Sequence, residues 1–119
     1  MDESILETIR KLVGSGLDHT FFDTEYIIHI NTAIGRLRQL GIGPVNGFRI
    51  TGTRETWRDL IGSSNLLDGV ITYVALSVKK KFDPSASGTI KAAWDEELAE
   101  LTWTLIAAAE DEPKLLEGG

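Results

Sequence analysis

Few residues in this chain have the type and spacing to do chemistry. Glu96 and Glu100 stand four apart, so on a helix they share a face. Paired carboxylates can divide acid and base roles, but only where a pocket shifts one of the two pKa values. No cleft is implied around them, and a solvated face is the commoner arrangement. The histidines are His19 and His29. His29 lies among isoleucines, and no second nitrogen ligand stands at helical spacing, so no metal site is expected. Serines occur at 4, 15, 63, 64, 77, 85 and 87, none of them in Gly-x-Ser-x-Gly, and neither histidine has an obvious orienting partner. Gly41, Gly43 and Gly47 are not spaced as a phosphate loop, and no Gly-Lys-Ser/Thr follows them. The expectation is no catalytic residue, no metal and no cofactor.

Two further clusters concern nucleic acid. Residues 54–61, the turn Gly62-Ser63-Ser64-Asn65 and the segment from Leu66 onward have the outline of a helix-turn-helix. A reading helix presents Arg, Lys, Asn or Gln to base edges from its first turns, whereas this one opens Leu66-Leu67-Asp68-Gly69-Val70. Lys79-Lys80-Lys81 complements the negative end of its own helix and could meet a phosphate or an acidic neighbour. Three lysines do not make a nucleic-acid site. Phe21 and Phe22 lack flanking basic residues and read as core plugs rather than a stacking platform.

The elements that carry these residues are helical. At 119 residues the chain is expected to be one domain with a real hydrophobic core. It has no cysteine, which excludes disulfides, thiolate zinc sites and a cysteine nucleophile, and favours a reducing compartment. The start, Met1-Asp2-Glu3-Ser4, is acidic and does not read as a signal peptide. The most apolar run, 70–78, is interrupted by Thr72 and Ser77 and falls short of the roughly 20 residues of a membrane span, so a soluble, non-exported protein is expected.

A first helix is predicted from Glu3 or Ser4 to Val13, with Ser4 and Glu7 as a capping box and Ile5, Ile9, Leu12 and Val13 as its apolar face. Asp23 should cap a second helix over 24–40, with Ile27, Ile30, Ile34 and Leu37 as its stripe, and Gly41 should end it. Residues 41–53 are the non-helical stretch. Asn46-Gly47 predicts a two-residue hairpin turn, with Phe48-Arg49-Ile50 as a short strand. Thr53 should cap a third helix over 54–61 with Trp57, Leu60 and Ile61 inward.

The fourth helix carries Leu67, Val70, Ile71, Val74 and Val78 and stops before Pro84. The fifth, from Ser87 or Thr89, carries the stripe Ile90, Trp94, Leu98, Leu101, Leu105 and Ala108. Residues 66–109, these last two helices, are expected to form the organising core. The prediction is therefore all-α: four to five helices in a bundle, a long C-terminal helix, and a small β-hairpin or loop near residues 44–50. Residues 1–109 form the domain, and 110–119 an acidic, flexible tail.

Charge is unevenly placed. The net charge is −6. Up to residue 87 the acidic and basic side chains balance, so residues 88–119 hold the whole excess. An acidic surface repels phosphate and argues against a grip on nucleic acid by that segment.

The order of parts resembles the head–tail connector (head–tail adaptor) proteins of long-tailed phages. The residues that carry the resemblance are Phe22-Asp23-Thr24-Glu25 leading to Ile30-Asn31-Thr32-Ala33, then Leu40-Gly41-Ile42-Gly43-Pro44 and Thr56-Trp57-Arg58-Asp59-Leu60. They continue through 70–78, Lys81-Phe82-Asp83-Pro84, and Glu100-Leu101-Thr102-Trp103 within 97–105. The resemblance covers most of residues 4–109. It implies a virion protein of the neck, assembled in the host cytoplasm, with no enzymatic activity and no membrane partner. It also implies a ring, usually of twelve subunits, between the portal and the stopper or tail-completion protein. DNA passes through such a ring without sequence-specific binding.

Two site expectations follow. Pro44, Val45, Asn46, Gly47 and Phe48, together with Lys114, Leu115 and Leu116 of the tail, are expected at interfaces. Glu96, Glu97 and Glu100 are expected to form an acidic, channel-lining face that keeps DNA from sticking. The competing class is a small phage-encoded helical regulatory protein, helix-turn-helix-like, using residues 54–81.

Overall fold

The computed structural model describes residues 3–14, 22–62, 64–82 and 87–111. His19, Phe21, Ser63, the Asp83-Pro84 joint and the tail with Lys114, Leu115 and Leu116 lie outside the described residues. Five helices follow in chain order: α1 (Ile5–Val13), α2 (Asp23–Gln39), α3 (Trp57–Ile61), α4 (Leu67–Phe82) and α5 (Gly88–Asp111). The all-α class is as predicted. Among the described residues the only β pairing is an isolated antiparallel bridge between Ser4 and Thr56.

That bridge ties the starts of α1 and α3 together. Ile5 N donates to Glu55 O at 3.0 Å, and Trp57 N donates to Glu3 O at 3.2 Å. The Trp57 indole N–H reaches Thr8 Oγ1 at 3.0 Å, so its polar edge is satisfied while the ring is buried. Ser4 caps α1 by accepting from Glu7 N at 3.3 Å, which is one half of the predicted capping box. The cap of α3 is Thr56, not Thr53: Thr56 and Asp59 form a full capping box, so the helix starts three residues later than predicted. Asp23 does not cap α2. It is the first helical residue, and its carboxylate takes both guanidinium contacts of Arg10, at 3.2 and 3.0 Å, clasping α1 to α2.

The core sits where α1, α2 and α4 meet. Ile5, Leu6 and Ile9 from α1, Ile30, Ile34 and Leu37 from α2, and Val70, Val74 and Val78 from α4 are all essentially inaccessible. Leu6 is buried, while Leu12, predicted to face the core, is 53% exposed. The organising element is α4, which packs on α1, α2 and α5. The pair α4–α5 is not the core, contrary to expectation. Leu105 is the only described residue of α5 that is fully buried, and Ile90 at the head of the predicted stripe is 46% exposed. Leu105 seats against Gly69: a Cβ there would lie 2.9 Å from Leu105 Cδ2, closer than packing permits.

Candidate functional site

The loop after α2 is held rigidly at its roots. Leu40 ends the helix and Gly41, at φ +88°, reverses the chain; Gly41 N donates to Arg38 O and Ile42 N to Leu37 O, both at 2.9 Å. This pair of bonds is a Schellman motif, and the buried Ile42 supplies its hydrophobic contact. Pro44 to Gly47 then forms a turn closed by Gly47 N donating to Pro44 O at 2.9 Å.

The predicted hairpin is therefore corrected. Positive φ occurs at Gly47 but not at Asn46, so the turn is shifted by one residue from the two-residue hairpin form. Phe48-Arg49-Ile50 is not a strand. The Asn31 side chain substitutes for the missing strand partner: Oδ1 accepts from Ile50 N at 2.7 Å, and Nδ2 donates to Ile50 O at 3.0 Å. This clasp satisfies the backbone of a residue with no exposure at all.

The loop tip, by contrast, is open. Val45 is 64% exposed, Asn46 is exposed, and Phe48 is half-buried against the core. Arg38 Nε donates to Val45 O at 3.2 Å, which lays the guanidinium beside Gly47. Between these groups lies an open depression of about 330 Å³, lined by Arg38, Gln39, Gly41, Gly43 and Val45. Beyond it, Glu55 receives bonds from Thr51 Oγ1 at 2.8 Å and Gly52 N at 3.4 Å. Burial raises the Glu55 pKa, but these bonds outweigh it and hold the carboxyl below its ordinary value.

The second surface is α5. Ser87 Oγ accepts from Ile90 N at 3.1 Å and starts the helix, as predicted. Glu96, Glu97 and Glu100 are all exposed. The lysines at the end of α4 are absorbed into this neighbourhood: Lys80 pairs with Asp95, and Lys79 Nζ sits 5.6 Å from the centre of the Trp94 ring. An acidic neighbour for Lys80 is thus on the same chain. Trp103, absent from the predicted apolar stripe, is 74% exposed and was not among the predicted site residues. The signal was available, since Trp103 falls off the spacing of Leu98, Leu101 and Leu105.

Among the described residues no group of three or more His, Cys, Asp or Glu is placed to hold a metal. No described helix is long and apolar enough to cross a membrane. Burial, and then the nearby Lys81, lower the His29 pKa, while Glu25 raises it; the net effect favours the neutral ring. The helix-turn-helix outline gains no base-reading face. A reading helix must be free to enter a groove. Here α4 packs on α1, α2 and α5, with Leu105 against Gly69, and the exposed side chains of its first turns, Asp68 and Thr72, include no Arg, Lys, Asn or Gln.

A family model described as a phage connector protein matches residues 5–112. No curated protein and no solved structure matches the chain.

Proposed function

The chain belongs to the phage connector protein family, and from that membership we propose that its copies form a ring between the portal and the stopper or tail of a long-tailed phage. Membership makes it a structural virion component of the head–tail interface, in a family that is typically non-enzymatic. The observation that carries the reading is the match over residues 5–112, which takes in all five helices. In the proposed assembly, about twelve copies extend the DNA channel, bind the portal on one side and present a platform for the stopper or tail-completion protein on the other.

Two features of the molecule support this role. A rigidly rooted loop with an open tip, residues 44–48, suits contact with a neighbouring subunit or the next ring. The acidic side of α5, with Glu96, Glu97 and Glu100, suits a channel wall that repels the passing DNA. The tail residues Lys114, Leu115 and Leu116 remain proposed docking residues for the portal.

Electron microscopy of the purified protein mixed with its portal tests the reading. A ring seated on the portal is the expected result; a mixture in which the protein never joins the portal rejects it. Deleting Asn46-Gly47 should then reduce assembly into virions, and undiminished assembly would remove the loop from the interface.

A further inference from the structure

We propose that Trp103 of one copy seats in the depression beside Arg38 and Val45 of the next, making a head-to-tail contact between α5 and the loop after α2. The inference rests on the ring proposed above and adds which surfaces meet.

Three observations bring the two surfaces together. The first is an exposed knob. Trp103 is 74% accessible, on the side of α5 turned away from α4, with the small residues Ala99 and Ala107 exposed one turn to either side. A tryptophan so placed is costly to leave in water and is among the commonest anchors of protein interfaces.

The second is a receptor of matching size and chemistry. A cavity of roughly 150 Å³ is enough to hold a benzene, and the depression measures about 330 Å³. At Gly41, whose φ is +88°, the space a side chain would occupy is empty, while at Gly43, φ +97°, a Cβ would lie 3.3 Å from Leu60 Cδ1. The backbone there is fixed by the bonds of Gly41 and Ile42 to α2, and the space beside Gly41 stays open. Arg38 supplies a guanidinium plane, which stacks on indoles, and Val45 an exposed apolar rim.

The third is charge. Residues 36–58 contain five arginines against the single carboxylate Glu55. Residues 88–111 contain six carboxylates against the single Lys91. Glu96 and Glu100 lie one to two turns before Trp103 on the helix, while Arg38 lines the depression. The two surfaces attract each other, whereas two copies of either repel. The occupant is therefore a second copy of this chain, bound through unlike surfaces. Such a heterologous contact builds a ring where the rotation closes and an open filament where it does not, rather than a two-fold pair. At 3.6 residues per turn, Glu100 lies about 60° and Glu97 about 120° around α5 from Trp103. Glu96, about 20° from Trp103, belongs to the neighbour's side, so this contact leaves Glu97 and Glu100 to turn toward the channel.

The absence of cysteine makes the contact easy to test. One preparation carries Val45→Cys and another Ala99→Cys, both keeping Trp103. They are mixed, assembled on the portal, treated with a short bismaleimide and run on a denaturing gel. The expected result is a cross-linked dimer in the mixture and none with either variant alone. A dimer from Ala99→Cys alone would indicate a two-fold contact and overturn the proposal. So would a link from position 99 to the portal. A ring visible by microscopy with no link between positions 45 and 99 overturns this contact and leaves the ring standing; no ring overturns both. In parallel, Trp103→Ala should raise the protein concentration needed for ring formation at least about tenfold. Its circular dichroism and melting should be unchanged, because the side chain is exposed in the single copy. Assembly at the original concentration would reject the contact.

Discussion

Two parts of this molecule are built on opposite terms. The bundle of α1, α2 and α4, with residues 41–61 wrapped on it, is closed by buried aliphatics and by polar clasps. Arg10–Asp23, Asn31–Ile50 and the Ser4–Thr56 bridge each join segments distant in sequence. Helix α5 has one fully buried side chain among its described residues and is fixed to α4 by Leu105 in the Gly69 notch, by Lys80–Asp95 and by Lys79 on Trp94. The first part is a scaffold whose core contacts are made within one chain, with the tip at residues 44–48 left open. The second is a long helix of about 36 Å whose outward side carries a tryptophan and carboxylates. A subunit whose core and whose outward-facing helix are separate can alter one without unfolding the other.

That contrast can be broken by mutation. Ile30→Ala opens a cavity in the fully buried core, and should lower global stability by about 3 kcal/mol, read as a single cooperative loss in a urea titration. Leu105→Ala should cost about 2 kcal/mol but act locally. Hydrogen exchange should speed up in α5 while α1 and α2 stay protected. If protection fell equally everywhere, α5 would be part of the scaffold, and the two-part description would fail.

Asn31→Ala leaves the backbone groups of buried Ile50 without their partners, at about 1–3 kcal/mol, and should expose residues 44–50 to limited proteolysis. Glu97→Gln with Glu100→Gln should change stability by no more than about 0.5 kcal/mol, because both are exposed surface positions. If the acidic side faces the channel, the same pair should raise the affinity of the assembled ring for DNA, with a dependence on salt. No change would move that side away from the channel.

The smallest effect is on pH. The folded-state pKa of His29 is depressed below its ordinary 6.5. Folding therefore favours the neutral ring, and the contribution is complete above pH 6.5 and lost as pH falls through the lower, folded value. His29→Gln should flatten the melting temperature between pH 8 and pH 5.5 relative to the parent chain.

Much of the scaffold was legible from residue order. The stripes of α2 and α4 recur at 3 and 4, and Ile30, Ile34, Leu37, Val70, Val74 and Val78 are all buried as their spacing requires. Periodicity reports which side of a helix is apolar, but not how deeply it is buried. The α5 stripe has the same spacing as the others yet stays largely half-exposed, since one neighbour covers it instead of three. Caps were misassigned where two candidates lay close together. Thr53 and Thr56 are both threonines before an apolar run, and the carboxylate of Asp59, three residues after Thr56, decides between them. Asp23 is a good cap by type, but a guanidinium thirteen residues upstream competes for it.

The sequence by itself determined the helices, their inward faces, the charge asymmetry between the first 87 residues and the last 32, and the absence of thiol chemistry. These depend on local spacing and on counting, which need no knowledge of neighbours. Tertiary structure decided which helix is central, that Asn31 stands in for a strand, that the glycines after α2 leave an open depression, and that Trp103 points outward. Each of these is set by segments far apart in the chain, where burial and partnership depend on what the rest of the fold brings alongside.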